Sequence, residues 1–162
     1  MKAWHFVGDT LRDGRPVPKD GEWLVHDGPV EMCAYGLHAS TQPFDALTYA
    51  PGNTLCLVEC EDIAETKKDK FVCRRRKIIA RMNTEEMLRY FARMQALSVV
   101  HLWDAPDVVL DYLMTGDESL RFAAWDCTAA RATTQLAAWD VGRDVARQDF
   151  NNLVYECFED WL

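Results

Sequence analysis

The amino-acid sequence predicts an α+β protein, a small β-rich unit over residues 1–83 packed against a helical region over residues 84–162 to make one compact domain. Three observations carry this expectation. In the first half, short apolar runs are separated by clusters of Gly, Pro and Asp, as strands are by turns. After Asn83 the apolar residues recur at i, i+3 and i+4, the period of a helix. The charge changes at the same place. Residues 1–83 hold 12 Lys and Arg against 12 Asp and Glu, whereas residues 84–162 hold 6 Arg, no Lys and 14 acids, so the whole net charge of -8 lies in the helical half.

The elements follow in order. "KAWHFVG" predicts a short first strand, and "DGRPVPKDGEW" a loop with turns. "EWLVHDGPVEMCAYGLHAS" predicts two short extended segments around the turn at Asp27-Gly28-Pro29. "TQPFDALTYA" predicts a brief helix, with Thr41 as its cap, Pro43 in its first turn and Phe44, Leu47 and Ala50 on one side. Pro51-Gly52-Asn53 stops it. "TLCLVECED" predicts a buried strand, and "KFVCRRRKIIARM" a further extended segment. In that segment Val72, Ile78, Ala80 and Met82 share one parity and Phe71, Cys73 and Ile79 the other, which predicts a bulge between Cys73 and Ile78.

In the second half, Asn83 and Glu86 stand close to the spacing of a capping box, and Met87, Leu88, Phe91 and Met94 follow helical spacing. A second helix restarts at Asp104-Ala105-Pro106, with Val108, Val109, Tyr112 and Leu113 inward, and Gly116 ends it. From Asp117 onward a helical pattern runs to the C-terminus, with Gly142 or Asn151-Asn152 as its expected break. It repeats "AAWD" at residues 123–126 and 137–140. The offset of two heptads puts Trp125 and Trp139 on nearly the same face, and Phe150, Leu153, Val154, Cys157, Phe158 and Trp161 continue an apolar stripe.

No run of about 18 apolar residues occurs, and the first residues lack the apolar core of a secretory signal, so the expectation is a cytoplasmic protein with no membrane span. The six cysteines form no CxxC pair, and no His stands at zinc-finger spacing from them, so no metal is expected. Cys56 and Cys60 fall on one face of their strand and read as buried thiols.

Four histidines remain: His5, His26, His38 and His101. His38 ends a predicted strand just before a turn into a helix, where a side chain is well displayed to a ligand. Lys67, Lys68, Lys70, Arg74, Arg75, Arg76, Lys77 and Arg81 make a basic strip with three readings: a solvated hairpin face, a surface that pairs with the acidic helices of the same chain, or a holder for a phosphate-bearing ligand or nucleic acid. The net acidity argues against general nucleic-acid binding. Trp125 and Trp139, with Asp126, Asp140 and Asp144 beside them, read as a core or as an interaction surface, either between copies of the chain or toward a basic partner.

The stretch "C-x-x-GLHAS-x-x-P-x-DAL-x-YAPG-x-x-LCLVE", the basic strand from Lys70 to Arg76, "LRYFARMQALSVVHLW" and the "AAWD" helices resemble an uncharacterised family of proteins from tailed phages and prophages. The resemblance covers most of the chain. It implies a phage context in the bacterial cytoplasm, hence an accessory protein whose partner is a host or defence protein, a non-enzymatic, counter-defence role of anti-CRISPR type. More distantly, the order "KAWHFVG", "YGLHAS", "DALTYA", "TLCLVEC" resembles ADP-ribosyltransferases and the RNA 2'-phosphotransferases of that superfamily. This implies His5 and His38 as the catalytic pair, Tyr49, Lys70, Arg74, Arg75 and Arg76 as ligand or phosphate contacts, and NAD or another nucleotide as the bound cofactor. Where such enzymes place a Glu, this chain has Lys70, whose charge opposes a cationic transition state. The non-enzymatic expectation carries no cofactor.

Overall fold

The computed structural model describes residues 1–126 and 143–162. Five strands form one antiparallel sheet: β1 (Lys2–Val7), β2 (Trp23–Val25), β3 (Leu37–Ala39), β4 (Thr54–Thr66) and β5 (Phe71–Asn83). The spatial order is β1-β4-β5-β2, and β3 shares the β2 edge of β5. β4 and β5 are a long hairpin whose turn closes with the Lys67 N–H on the Lys70 carbonyl at 2.7 Å. Trp4 and Ser40 exchange backbone hydrogen bonds at 2.8 and 2.9 Å, so the chain just after β3 returns to β1 and curls the sheet on itself.

The curl creates an interior. Ala3, Val7, Leu37, Ala39, Cys56, Val58, Cys60, Phe71, Cys73 and Ile78 pack there as one cluster. Strand alternation sends Trp4, Phe6, Leu55 and Leu57 to the opposite face. All four are buried too. Trp4 meets Phe158 edge to face at 5.1 Å and Tyr155 at 5.9 Å, on the C-terminal segment. β1 is therefore covered on both faces, which explains why "AWHFV" is almost wholly apolar.

Phe71, Cys73 and Ile78 do share one cluster despite their mixed parity. The register of β5 against β4 slips at two other places: opposite Ile79, between the pairs Leu57–Ala80 and Val58–Ile78, and at Ala64, between Ile63–Cys73 and Glu65–Val72. The expected bulge between Cys73 and Ile78 is thus replaced by slips on either side of that stretch. Asp62, beside the second, adopts a left-handed φ of 56°.

Helix α1 (Pro43–Leu47) starts with Pro43 in its first turn as expected, but the cap position is Gln42 and not Thr41. Gln42 is held elsewhere: its Oε1 accepts from Asn151 Nδ2 at 3.1 Å and Tyr155 OH at 2.7 Å. The buried residues of α1 are Pro43, Asp45 and Ala46 rather than Phe44 and Leu47, because a five-residue helix is one turn and presents its small side toward the sheet.

Among the described residues the remaining helices are α2 (Glu85–Ser98), α3 (Asp107–Thr115), α4 (Arg121–Asp126) and α5 (Arg143–Cys157), with 3-10 turns at Val100–Leu102, Glu118–Leu120 and Glu159–Trp161. Asn83 Oδ1 accepts the Glu85 N–H at 2.9 Å, so Asn83 does serve the start of α2. Gly116 ends α3 with φ 71°, as predicted. Among the described residues no helix is long and apolar enough to cross a membrane.

The chain divides into two compact units, Met1–Glu85 with Phe150–Leu162, and Glu86–Asp149. The last thirteen residues belong with the sheet. In the second unit Arg89 pairs with Glu118 at 3.0 Å and Arg93 donates to the Leu113 carbonyl at 3.1 Å. Leu113 is the one residue of that unit, among those described, that is buried.

Candidate functional site

His38 stands between two groups of polar side chains. On the outer side its Nε2 accepts the Cys33 N–H at 2.9 Å, while the Gly36 backbone takes its other ring proton. This ties the loop from Cys33 to His38 and holds Cys33 at a left-handed φ of 68°. Gly36, at φ 108°, has no room for a side chain: an added Cβ would lie 2.7 Å from Val72 Cγ2. Burial, then Lys70, pushes the His38 pKa below its ordinary value, with Arg76 and Arg12 acting in the same direction. The ring is neutral, and both nitrogens are engaged.

Lys70, two residues before Val72, the residue paired with His38, lies 4.1 Å from the Tyr49 ring centroid and beside the Cys33 thiol. Tyr49 OH donates to Asp69 Oδ2, which raises the Tyr49 pKa and lowers that of Asp69. His38, Tyr49 and Lys70, singled out in the sequence, thus meet on one rim with Cys33 and Asp69, which were not. The signal for Asp69 was its place as the single acid in "KKDK". Cys33 had none, because its position depends on loop geometry.

On the inner side, Arg76 is 6% exposed and donates Nη1 to the His38 carbonyl. His5, opposite Cys56 in the β1–β4 register, faces the same interior. Burial, then Arg76 and His38, holds the His5 pKa well below its ordinary value. So His5 and His38 do approach one another, with Arg76 between strand interior and rim. A cavity of about 10 Å³ against Arg76 has room for one water, and a surface groove of about 400 Å³ follows Leu11 to Leu24. Neither is lined by His5 or His38.

The other basic residues are placed apart from this site. Arg74 donates to the carbonyls of His26 and Gly28, both at 3.0 Å. Arg75 pairs with Glu61 at 2.6 Å, Lys77 with Glu59 at 2.6 Å, and both cations stack on Trp23. Arg81 pairs with Asp20. The basic strip is therefore largely a sheet face whose charges are met by cross-strand acids. Trp125 and Asp126 end α4, and Asp144 is exposed in the first turn of α5. Trp139 and Asp140 lie outside the described residues. Among the described residues no group of three or more His, Cys, Asp or Glu is arranged to hold a metal ion.

No curated protein and no solved structure matches the chain. A family model does: it matches residues 1–90, more than half the chain and all five strands of the sheet with His5, His38 and Arg76, so the chain belongs to the family described as a domain of unknown function, DUF7666.

Proposed function

We propose that this is a phage- or prophage-type accessory protein that acts in the bacterial cytoplasm by binding a host or anti-phage defence protein, without catalysing a reaction. The observation that carries this reading is the outward face of α3. Asp107, Asp111 and Met114, spaced i, i+4 and i+7, line one side of that helix, and all three are exposed. Asp104 precedes them, also exposed, and Phe122 in the same unit is 83% exposed. Exposed apolar side chains, Met114 and Phe122, thus occur in the same unit as exposed carboxylates. Arg74, Arg75, Arg76, Lys77 and Arg81 are by contrast engaged inside the sheet unit.

The partner such a face fits is a protein with a basic, partly apolar surface, as on proteins that handle nucleic acid. Affinity capture from a bacterial lysate tests it. At low salt the native chain is expected to retain a stable partner, and the Asp107→Lys/Asp111→Lys variant to retain at least about tenfold less, with high salt weakening both. Recovery of no stable partner at either salt would overturn the reading.

A second reading, an ADP-ribosyltransferase-like nucleotide binder, is favoured by the approach of His5 to His38 around Arg76. It expects NAD or RNA with phosphorylated ends to raise the melting temperature, and His38→Ala to abolish that rise.

A further inference from the structure

Arg76 is a guanidinium, charged at every accessible pH, inside the curled sheet. A buried charge persists when an opposite charge and hydrogen-bonded polar groups meet it. Of its five N–H donors, one on Nη1 goes to the His38 carbonyl. Leu24 stands opposite Arg76 in the β2–β5 register and packs against the interior cluster. Residues two apart along an extended chain share a face, so Glu22 returns to the side that Leu24 and Arg76 occupy. The cavity of about 10 Å³ agrees with this: Glu22 and Arg76 both line it, with Val7, Leu11, Val17 and Ile78 among its apolar walls. Glu22 is exposed and forms the outer end of the cavity, and buried Arg76 forms the inner end.

We infer that this cavity is a binding site for one water molecule, which accepts from the Arg76 guanidinium and donates to the Glu22 carboxylate, so that Glu22 is the counter-ion of Arg76. The volume admits a single water, and two polar groups of opposite charge give it the partners a buried water needs. The turn before β2 fixes the carboxylate. The Glu22 N–H donates to the Lys19 carbonyl at 3.1 Å, and the Lys19 N–H donates to Glu22 Oε2 at 3.1 Å, which leaves Oε1 for the cavity. Cys73, on the same strand as Arg76, does not compete for the role of counter-ion: its sulfur donates to the Leu37 carbonyl at 3.2 Å, as a protonated thiol does. Through Arg76 the bridge reaches the His38 carbonyl, so one polar line runs from the Lys19–Glu22 turn, across the sheet interior, to the strand that carries His38.

The test is nuclear magnetic resonance of the full chain in water. The native chain is expected to show magnetisation transfer from a long-lived water to the Arg76 guanidinium protons, and Glu22→Ala to lose it. Urea unfolding checks the charge pairing. Glu22→Gln removes the charge at nearly constant size; it is expected to lower the folding equilibrium constant about threefold or more in the native background and to leave it unchanged in an Arg76→Met background. No transfer in the native chain, transfer that survives Glu22→Ala, or an equal loss from Glu22→Gln in both backgrounds overturns the inference. The native-chain measurement needs no variant, so it decides the matter even where Arg76→Met does not fold. It is also independent of whether the α3 face binds a partner.

Discussion

His5 and His38 carry the same chemistry and are used in opposite ways. His38 spends both ring nitrogens on the backbone of its own loop, whereas His5 sits among the interior side chains beside Arg76. Both have pKa values depressed by burial first and nearby cations second. A depressed value means the folded state binds fewer protons than the unfolded chain between the two pKa values. The stability these groups contribute is complete above the ordinary His value of 6.5 and is lost as pH falls through their folded values. The melting temperature is therefore expected to fall on acidification from neutral toward pH ~5, and His5→Gln, which has no such titration, to flatten that fall. At this scale the sequence marked His5, His38, Tyr49 and Lys70 by type and place. It could not show that His38 is fully engaged, because hydrogen bonds to Cys33 and Gly36 depend on the path of the loop between them.

The decisive element is the end of the chain. Phe150, Val154 and Phe158, spaced i, i+4 and i+8, are 0–2% exposed and belong with the sheet, where Phe158 meets the edge of Trp4. Asn151 Oδ1 accepts the Phe44 N–H at 2.9 Å and its amide reaches Gln42, so the same helix also fastens α1. Phe158→Ala is expected to cost about 3–5 kcal/mol, measured as a lowered urea midpoint with an unchanged slope. The exposed ion pairs farther along β4 and β5 contrast with this. Arg75–Glu61 is more than one-third exposed on both partners, and such pairs contribute on the order of 0–1 kcal/mol. The apolar stripe from Phe150 to Trp161 was legible as helical spacing. Its destination was not, since periodicity gives a face and says nothing about what that face meets.

For the molecule as a whole, the family boundary and the folding boundary differ. The family model ends at residue 90, while the compact unit that holds the sheet includes Phe150–Leu162. A fragment of residues 1–90 would leave Trp4 and its neighbours on that face uncovered. It is expected to lack a cooperative thermal transition, and a peptide of residues 143–162 added to it to restore one. A fragment that melts cooperatively by itself would show that the C-terminal segment is dispensable to the sheet.

The sequence by itself determined the α+β class, the switch from strand to helix period at residue 83, the ends of α3 and the segregation of negative charge into the helices. These are written in local composition and spacing, which need no knowledge of the rest of the chain. The tertiary structure alone decided that the basic strand is mostly neutralised by Glu59, Glu61 and Asp20, that Arg76 turns inward among three thiols, and that the last helix closes the sheet. Each of these rests on partners far apart in sequence, brought together by sheet register and curl. One parity step along β5 separates an arginine on the surface from an arginine in the core, and only the pairing of strands fixes that step.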